Sequence, residues 1–184
     1  MDAIQSHLHP LSRPNFILVG GFALHFHGME RATEDLDFAI TAQSLNQWKT
    51  SVANDSRFVY EPGGDWRYYC TGEEIEDVGV TIEFLNVPEL TQMGSVTGAL
   101  AESGIWVATL EELAMLKAEA LVSRSEMRDG ADLLWILQRM VAERRQFGRD
   151  VQGIFTEARN SAAGIRMTDH KTKELTKLLT EFTS

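Results

Sequence analysis

Two aspartates with one residue between them, Asp35 and Asp37, lie in the segment TEDLDFAI, whose apolar residues favour a buried β-strand. Side chains alternate along a strand, so both carboxylates would project from the same face. Burying two like charges together is costly unless a cation or a basic residue compensates them. Glu83 repeats the pattern in the apolar segment VTIEFL. If these strands are neighbours, the three carboxylates predict a site for Mg²⁺ or Mn²⁺, which prefer oxygen ligands.

The glycine pair upstream of the aspartates suggests a phosphate-bearing substrate for such a site. Gly20 and Gly21 stand where the apolar segment NFILV gives way to the helical segment FALHFHG. Backbone N–H groups at such a turn can hold phosphate oxygens. Two bound cations can also hold the attacking and leaving oxygens of a phosphoryl or nucleotidyl transfer. The alternative is a structural ion cluster of the three acids with Arg31 and Arg67.

The elements that must position these residues alternate between strands and helices over the first part of the chain. Strand-like segments are NFILV, LDFAI, RFVY, WRYYC, VGVTIEFLNV and GIWVA. RFVY and WRYYC flank the turn EPGGD, which predicts a hairpin. The segment SLNQWKTSVAND predicts a helix, with Ser44 and Gln47 spaced as a capping box. The run EEIED, residues 73–77, predicts an exposed acidic loop.

The remainder of the chain has helical periodicity. TLEELAMLKAEALVSR predicts a helix that opens with the capping box Thr109 and Glu112. RDGADLLWILQRMVAERR predicts a second, with Gly130 a tolerated weak point in its first turn, and two more follow at about 149–159 and 169–182. We therefore predict an α/β (α+β) fold. A small mixed β-sheet core of about four to six strands with flanking helices spans 1–108, and a helical C-terminal part, 109–184, packs on it as one compact unit.

Composition and charge narrow the class of protein. The net charge is −10, and residues 1–108 carry 5 basic against 15 acidic residues, whereas 109–184 are balanced at 12 each. Such an acidic first part disfavours non-specific nucleic-acid binding, which needs clustered cations. The single cysteine, Cys70, cannot form an internal disulfide. With no secretory signal and no apolar run of membrane-span length, we expect a cytoplasmic protein without a membrane partner.

The segment GGFALHFHGMERATEDLDF resembles the opening motif of the nucleotidyltransferase superfamily, the DNA polymerase β-like fold. It is most similar to the small stand-alone branch of AbiEii and MenT-like toxin nucleotidyltransferases. In that motif an apolar strand precedes Gly-Gly or Gly-Ser and then Arg-x-Thr-x-Asp-apolar-Asp. The matching residues are Gly20, Gly21, Arg31, Thr33, Asp35 and Asp37. The resemblance implies that the two aspartates bind metal and that Glu83 is the third carboxylate.

The resemblance extends into the helical part, where Lys117, Arg124, Arg128, Asp129 and Asp132 match a Lys…Arg helix followed by an Arg-Asp-x-x-Asp helix start. Periodicity independently places Lys117 within the apolar stripe of its helix, and Arg124 two turns further along the same side. Two interpretations follow. Lys117 contacts nucleotide phosphates, or a buried Lys117–Asp132 or Arg124–Asp129 ion pair holds two helices together.

The resemblance implies a Mg²⁺-dependent enzyme that transfers an NMP from an NTP to an acceptor and releases pyrophosphate. Its catalytic and metal residues would be Asp35, Asp37 and Glu83, and its nucleotide-binding residues Gly20, Gly21, Arg31, Thr33, Lys117, Arg124 and Asp132. A small molecule or a protein is the favoured acceptor. An RNA end is an alternative acceptor, because the arginines of RMVAERRQFGR could contact it. A toxin role would follow from the resemblance alone. The alternatives are a non-catalytic nucleotide-sensing or partner-binding module, and a repurposed pocket acting on a small molecule.

Overall fold

The computed structural model describes residues 2–8, 13, 15–70, 79–86, 98–101, 104–148 and 150–183. Contacts divide the chain into two compact units, Met1–Ala108 and Thr109–Ser184. This boundary coincides with the one that the sequence indicates. The acidic run 73–77 lies outside the described residues. Packing of the two units on each other stays a prediction.

The first unit contains a mixed sheet and three helices within the described residues. Its strands are β1 (Phe16–Val19), β2 (Asp35–Ile40), β3 (Phe58–Tyr60), β4 (Trp66–Tyr69), β5 (Gly79–Asn86), β6 (Ala99–Leu100) and β7 (Trp106–Val107). Its helices are α1 (Asp2–Ser6), α2 (Gly20–Phe26) and α3 (Ala42–Val52). The strand order is β3-β4-β5-β2-β1-β7-β6. β2 pairs parallel with β5 and antiparallel with β1, and β4 pairs antiparallel with both β3 and β5.

An aromatic cluster forms the core on the sheet face opposite the acidic side chains. Trp48 of α3 is fully buried, and its ring lies 4.9 Å from that of Phe84 and 5.1 Å from that of Trp66. The rings of Phe16 and Phe38, from the paired strands β1 and β2, lie 4.5 Å apart and are tilted by 44°. Because side chains alternate along β2, burying Phe38 in this cluster directs its two neighbours in sequence to the other face. Core packing thus fixes where the acidic residues point.

The second unit is helical: α4 (Leu110–Arg124), α5 (Met127–Ala142), α6 (Gln152–Ala162) and α7 (Asp169–Glu181). The predicted capping box at the start of α4 is confirmed, since Thr109 N–H donates to Glu112 Oε2 at 2.8 Å and Glu112 N–H donates to Thr109 Oγ1 at 3.3 Å. α4 packs on α5 and α6, and α7 packs on the same two helices. No helix among the described residues is both long and apolar enough to cross a bilayer.

Gly130 proves to be a packing requirement rather than only a weak point in α5. A Cβ at this position would lie 2.6 Å from Ile165 Cδ1 and 2.8 Å from Met167 Sδ. Both distances are far shorter than ordinary van der Waals contact. The segment after α6 therefore approaches α5 closely only because this residue has no side chain.

The predicted α/β fold is confirmed, with two corrections of detail. The sheet has seven strands in the described residues rather than four to six, because two-residue β6 pairs with β7 in a stretch with little strand pattern. The capping box predicted at Ser44 and Gln47 is wrong. α3 begins at Ala42, and Thr41, directly after β2, accepts the hydrogen bond of Ser44 N–H at 3.3 Å. Ser44 is buried within the helix.

Candidate active site

Three carboxylates converge at the centre of the sheet in the first unit. The parallel register of β2 and β5 places Asp35 opposite Thr81 and Asp37 opposite Glu83. One carboxylate oxygen from each of Asp35, Asp37 and Glu83 lies within 4.8 Å of the others. The two aspartates are half-buried and Glu83 is exposed. The neighbouring strands that the sequence required for this cluster are therefore present.

A hydroxyl group orients one member of the cluster. Thr33 Oγ1 donates a hydrogen bond to Asp35 Oδ1 at 2.9 Å. Thr33 lies in the extended segment that leads into β2, two residues before Asp35. A carboxylate that accepts this bond has less rotational freedom, so Thr33 restrains the orientation of the Asp35 side chain. This is the kind of outer support that positions ligands in metal sites.

The glycine pair leaves space for two charged groups, one carboxylate of the cluster and one guanidinium. Gly20 has φ +64°, and a Cβ there would lie 2.6 Å from Asp37 Cγ and closer still to its Oδ2. A Cβ on Gly21 would lie 2.9 Å from Thr33 Oγ1 and closer still to an Arg31 Nη atom. The Asp37 carboxylate therefore occupies the space that a side chain at residue 20 would fill, and the Arg31 guanidinium occupies the corresponding space at residue 21. The predicted contact of the glycines with triphosphate stays a prediction.

The donor set suits a hard divalent cation. It consists of carboxylate oxygens alone, which Mg²⁺ and Mn²⁺ prefer. Three oxygens within 4.8 Å of one another can contact one ion, and their exposed side leaves room for substrate oxygens. Like charges this close also repel, so a cation at their centre removes an unfavourable interaction. The residues present thus fit the metal that the sequence predicts.

The sequence did not predict a cavity of about 320 Å³ on the opposite face of the sheet, beside α3. Its lining includes Ile82 and Phe84 of β5, Trp66 at the start of β4, Lys49 of α3 and Asp65 of the β3–β4 turn. The carboxylate of Glu83, between Ile82 and Phe84, projects from the other face of the strand. Lys49 and Asp65 have no unusual sequence context, since charged residues are common on helix surfaces and in turns. The pairing of β4 with β5 and the packing of α3 on the sheet bring them together, and no local pattern signals either contact.

Four of the five charged residues that the sequence singled out in the helical part form an ion network within the second unit, in which only the Arg124 side chain is largely exposed. Lys117 Nζ lies 3.1 Å from Asp129 Oδ1 and 2.8 Å from Asp132 Oδ2. Arg124 donates from Nε to Asp129 Oδ2 at 2.7 Å and from Nη2 to Asp129 Oδ1 at 3.0 Å. Both aspartates are 1% exposed and Lys117 is 8% exposed. Both ion pairs of the structural interpretation are therefore present, and the nucleotide contact of Lys117 stays a prediction.

Opposing influences act on the pKa of Asp129. Burial favours the neutral acid, but the two hydrogen bonds from Arg124 and the charge of Lys117 outweigh it, so the pKa lies below the usual 3.8. The network of two cations and two anions is neutral as a whole. Removing one member leaves an uncompensated buried charge, which typically costs about 3–5 kcal/mol. The charges that α4 and α5 bury between them are therefore compensated only while all four members are present.

The comparisons with known proteins agree with this geometry. A model of the family described as "Nucleotidyl transferase AbiEii toxin, Type IV TA system" matches residues 5–181. A solved structure of an antigenic nucleotidyltransferase-like protein from Paracoccidioides brasiliensis superposes with a TM-score of 0.59. The match covers 97% of this chain and 93% of that one, at 15% identity, so it shows the shared fold. No curated protein matches the sequence. The family match spans nearly the whole chain, and the protein belongs to the AbiEii nucleotidyltransferase family.

Proposed function

We propose that this protein is a Mg²⁺-dependent nucleotidyltransferase that moves an NMP from an NTP to a hydroxyl-bearing acceptor. The observation that carries the proposal is the convergence of Asp35, Asp37 and Glu83 on one point of the sheet. Carboxylates this close together repel one another, and a bound divalent cation would relieve that repulsion. The family match supports a reaction of the nucleotidyltransferase type.

Each residue around the cluster has a defined task in this proposal. Asp35 and Asp37 would hold the metal, with Thr33 fixing the orientation of Asp35. Bound Mg²⁺ would neutralise charge on the triphosphate and on the oxygens that exchange at phosphorus. Arg31, which lies against Gly21, would neutralise a further phosphate oxygen. The chain thus contributes positioning and charge stabilisation, which supply most of the catalysis in such transfers.

The bond changes follow from the substrate chemistry. The acceptor oxygen forms a bond to the α-phosphorus, and the bond from that phosphorus to the oxygen bridging to the β-phosphorus breaks. Pyrophosphate leaves with the bridging oxygen. The hydroxyl proton passes to the carboxylate of Glu83, which is the most exposed member of the cluster and so the most accessible to an incoming acceptor.

The test is incubation of the protein with Mg²⁺ and each α-labelled NTP, with and without a cell extract, beside an Asp35→Asn/Asp37→Asn double variant. We expect label transfer by the wild type. In the variant the rate of label transfer should fall by a factor of about 10² to 10⁴, because transition-state stabilisation of several kcal/mol is lost. Circular dichroism spectra of both proteins control for folding. Glu34→Gln, an exposed neighbour outside the cluster, is the matched charge control.

The outcomes separate this proposal from its alternatives. Transfer that the double variant retains would contradict the assignment of the aspartates. Metal-dependent NTP binding by calorimetry without any labelled product would favour a nucleotide-sensing module. If the protein neither binds an NTP nor transfers label, the result would favour a repurposed pocket that acts on a small molecule. The cytoplasmic location, the toxin role and the parts of Lys117, Arg124 and Asp132 in nucleotide binding stay predictions.

A further inference from the structure

Arg67 lies on the same face of the sheet as the carboxylate cluster. In β4 it pairs with Thr81 of β5, and Thr81 pairs in turn with Asp35 of β2. Directly paired residues of neighbouring strands project from the same face. The neighbour of Arg67 in β4, Trp66, places its ring 5.1 Å from that of Trp48 on the α3 face, as this alternation requires. Arg67 is therefore two strands away from Asp35, on the face that carries the cluster.

A glycine beside Arg67 lets its side chain lie along the sheet. A Cβ on Gly79 would lie 2.6 Å from Arg67 Cδ and 2.9 Å from Arg67 Cγ. The aliphatic stem of Arg67 therefore crosses from β4 onto β5, which is the direction of β2 in the strand order. The glycine pair after β1 leaves space for charged groups of the same face in a similar way. Both sides of the cluster thus have a glycine that accommodates an arginine.

The guanidinium of Arg67 has no anionic partner among the residues that the structure describes. Its side chain is exposed and forms neither an ion pair nor a hydrogen bond within those ranges. The structural ion cluster of the three acids with two arginines, which the sequence left open, therefore does not include Arg67 there. A guanidinium presents N–H donors in a fixed plane that matches two oxygens of a phosphate or a carboxylate.

Arg31 and Arg67 approach the Asp35 end of the cluster from opposite sides. Arg31 lies against Gly21, which follows β1, whereas Arg67 comes from β4, beyond both β2 and β5. The attacking and leaving oxygens of a nucleotidyl transfer lie roughly in line, on opposite sides of the phosphorus. With the leaving pyrophosphate beside Arg31 and the glycine pair, the acceptor would enter from the side of Arg67.

Resting on the function proposed above, we propose that Arg67 binds the acceptor, and that the acceptor carries an oxyanion, a phosphate or a carboxylate, near its reacting hydroxyl group. Residues 1–108 carry 15 acidic against 5 basic residues, so this unit has no general attraction for anions. An uncompensated cation on the face of the cluster is therefore a specific feature. Arg67 keeps its proton throughout and contributes binding and orientation only.

The test compares three hydroxyl-bearing probes, namely glycerol 3-phosphate, glycerate and uncharged glycerol. Dissociation constants are measured by saturation-transfer NMR with Mg²⁺ and the α,β-methylene analogue of each NTP, which cannot transfer its nucleotide. We expect the wild type to bind one anionic probe at least about tenfold more tightly than glycerol, and Arg67→Gln to lose that preference, because charge-assisted hydrogen bonds are lost. The tighter probe identifies the oxyanion. Arg67→Lys should keep part of the preference, since the charge remains without the planar donors.

Two further variants separate the position of Arg67 from the net charge of the protein. Gly79→Ala changes no charge but displaces the Arg67 stem, so it should weaken binding of the same anionic probe by a smaller factor. Arg166→Gln removes an exposed arginine of the second unit and should bind all three probes as the wild type does. Circular dichroism spectra control for folding, and the affinity for the NTP analogue should be unchanged in Arg67→Gln.

The affinity for the NTP analogue also separates the two proposals. Equal binding of the three probes by the wild type, or an anionic preference that Arg67→Gln retains, would overturn the acceptor assignment alone. So would a loss of NTP-analogue affinity in Arg67→Gln with unchanged probe binding, since Arg67 would then contact the nucleotide. Failure of the wild type to bind any NTP analogue with Mg²⁺ would overturn both proposals.

Discussion

Gly20→Ala tests the packing of the site with a single methyl group. The added Cβ would lie 2.6 Å from Asp37 Cγ, whereas ordinary contact requires about 3.5 Å. The carboxylate must therefore retreat by about 1 Å. A displacement of this size at a reacting centre typically costs about 10²-fold in rate. The φ of +64° adds a backbone cost of about 1–2 kcal/mol for a residue with a side chain.

Gly28→Ala separates these two effects. Gly28 follows α2 with φ +91°, so alanine there suffers a comparable backbone strain, but its Cβ would have no atom within 4 Å. In urea titrations we expect Gly28→Ala to lose about 1–2 kcal/mol of unfolding free energy from backbone strain, and Gly20→Ala to lose more, because the clash with Asp37 adds to the same strain. Only Gly20→Ala should lose about 10²-fold in label transfer from an α-labelled NTP. Equal transfer by the two variants would refute the close contact between Gly20 and Asp37.

Further predictions concern the support of the site and the helical unit. Thr33→Val should lower metal affinity about 10-fold, measured by calorimetry, because the hydrogen bond that orients Asp35 is lost; unchanged affinity would contradict that role. Gly130→Ala should lower the unfolding free energy by about 1–3 kcal/mol despite its better helix propensity, whereas Gly153→Ala, with open space around its Cβ, should not lower it. Because its folded-state pKa is below 3.8, Asp129 stabilises the fold above that pH and loses this contribution as the pH falls through the folded-state value. Asp129→Asn should therefore flatten the acid limb of stability against pH, and an unchanged acid limb would argue against the network.

Sequence reasoning located the acidic site because its signals are local. Carboxylates at alternate positions of a strand project from the same face of the sheet. Glu83 then lies near Asp37 because β2 and β5 are neighbouring strands. The capping box of α4 was predictable for the same reason, since all of its contacts lie within one turn. Features whose partners are close in sequence were therefore recovered.

Features that depend on long-range packing were not predictable. The partner of Gly20 is Asp37 on a neighbouring strand, so the sequence indicated a phosphate turn and gave no sign of a steric requirement. The N-cap of α3 is Thr41 and not the predicted Ser44, because the exact end of β2 decides where the helix begins. Lys117 left two interpretations open, since periodicity shows that a side chain is buried but does not name its partner.

A titration with Mn²⁺, followed by electron paramagnetic resonance, tests most directly whether the acid cluster is a metal centre. The wild-type protein with NTP is predicted to remove free Mn²⁺ from solution, and Asp35→Asn/Asp37→Asn is predicted to lose this binding while keeping its circular dichroism spectrum. Mg²⁺ should compete for the same site. Equal Mn²⁺ binding by the two folded proteins would contradict a metal centre formed by Asp35, Asp37 and Glu83.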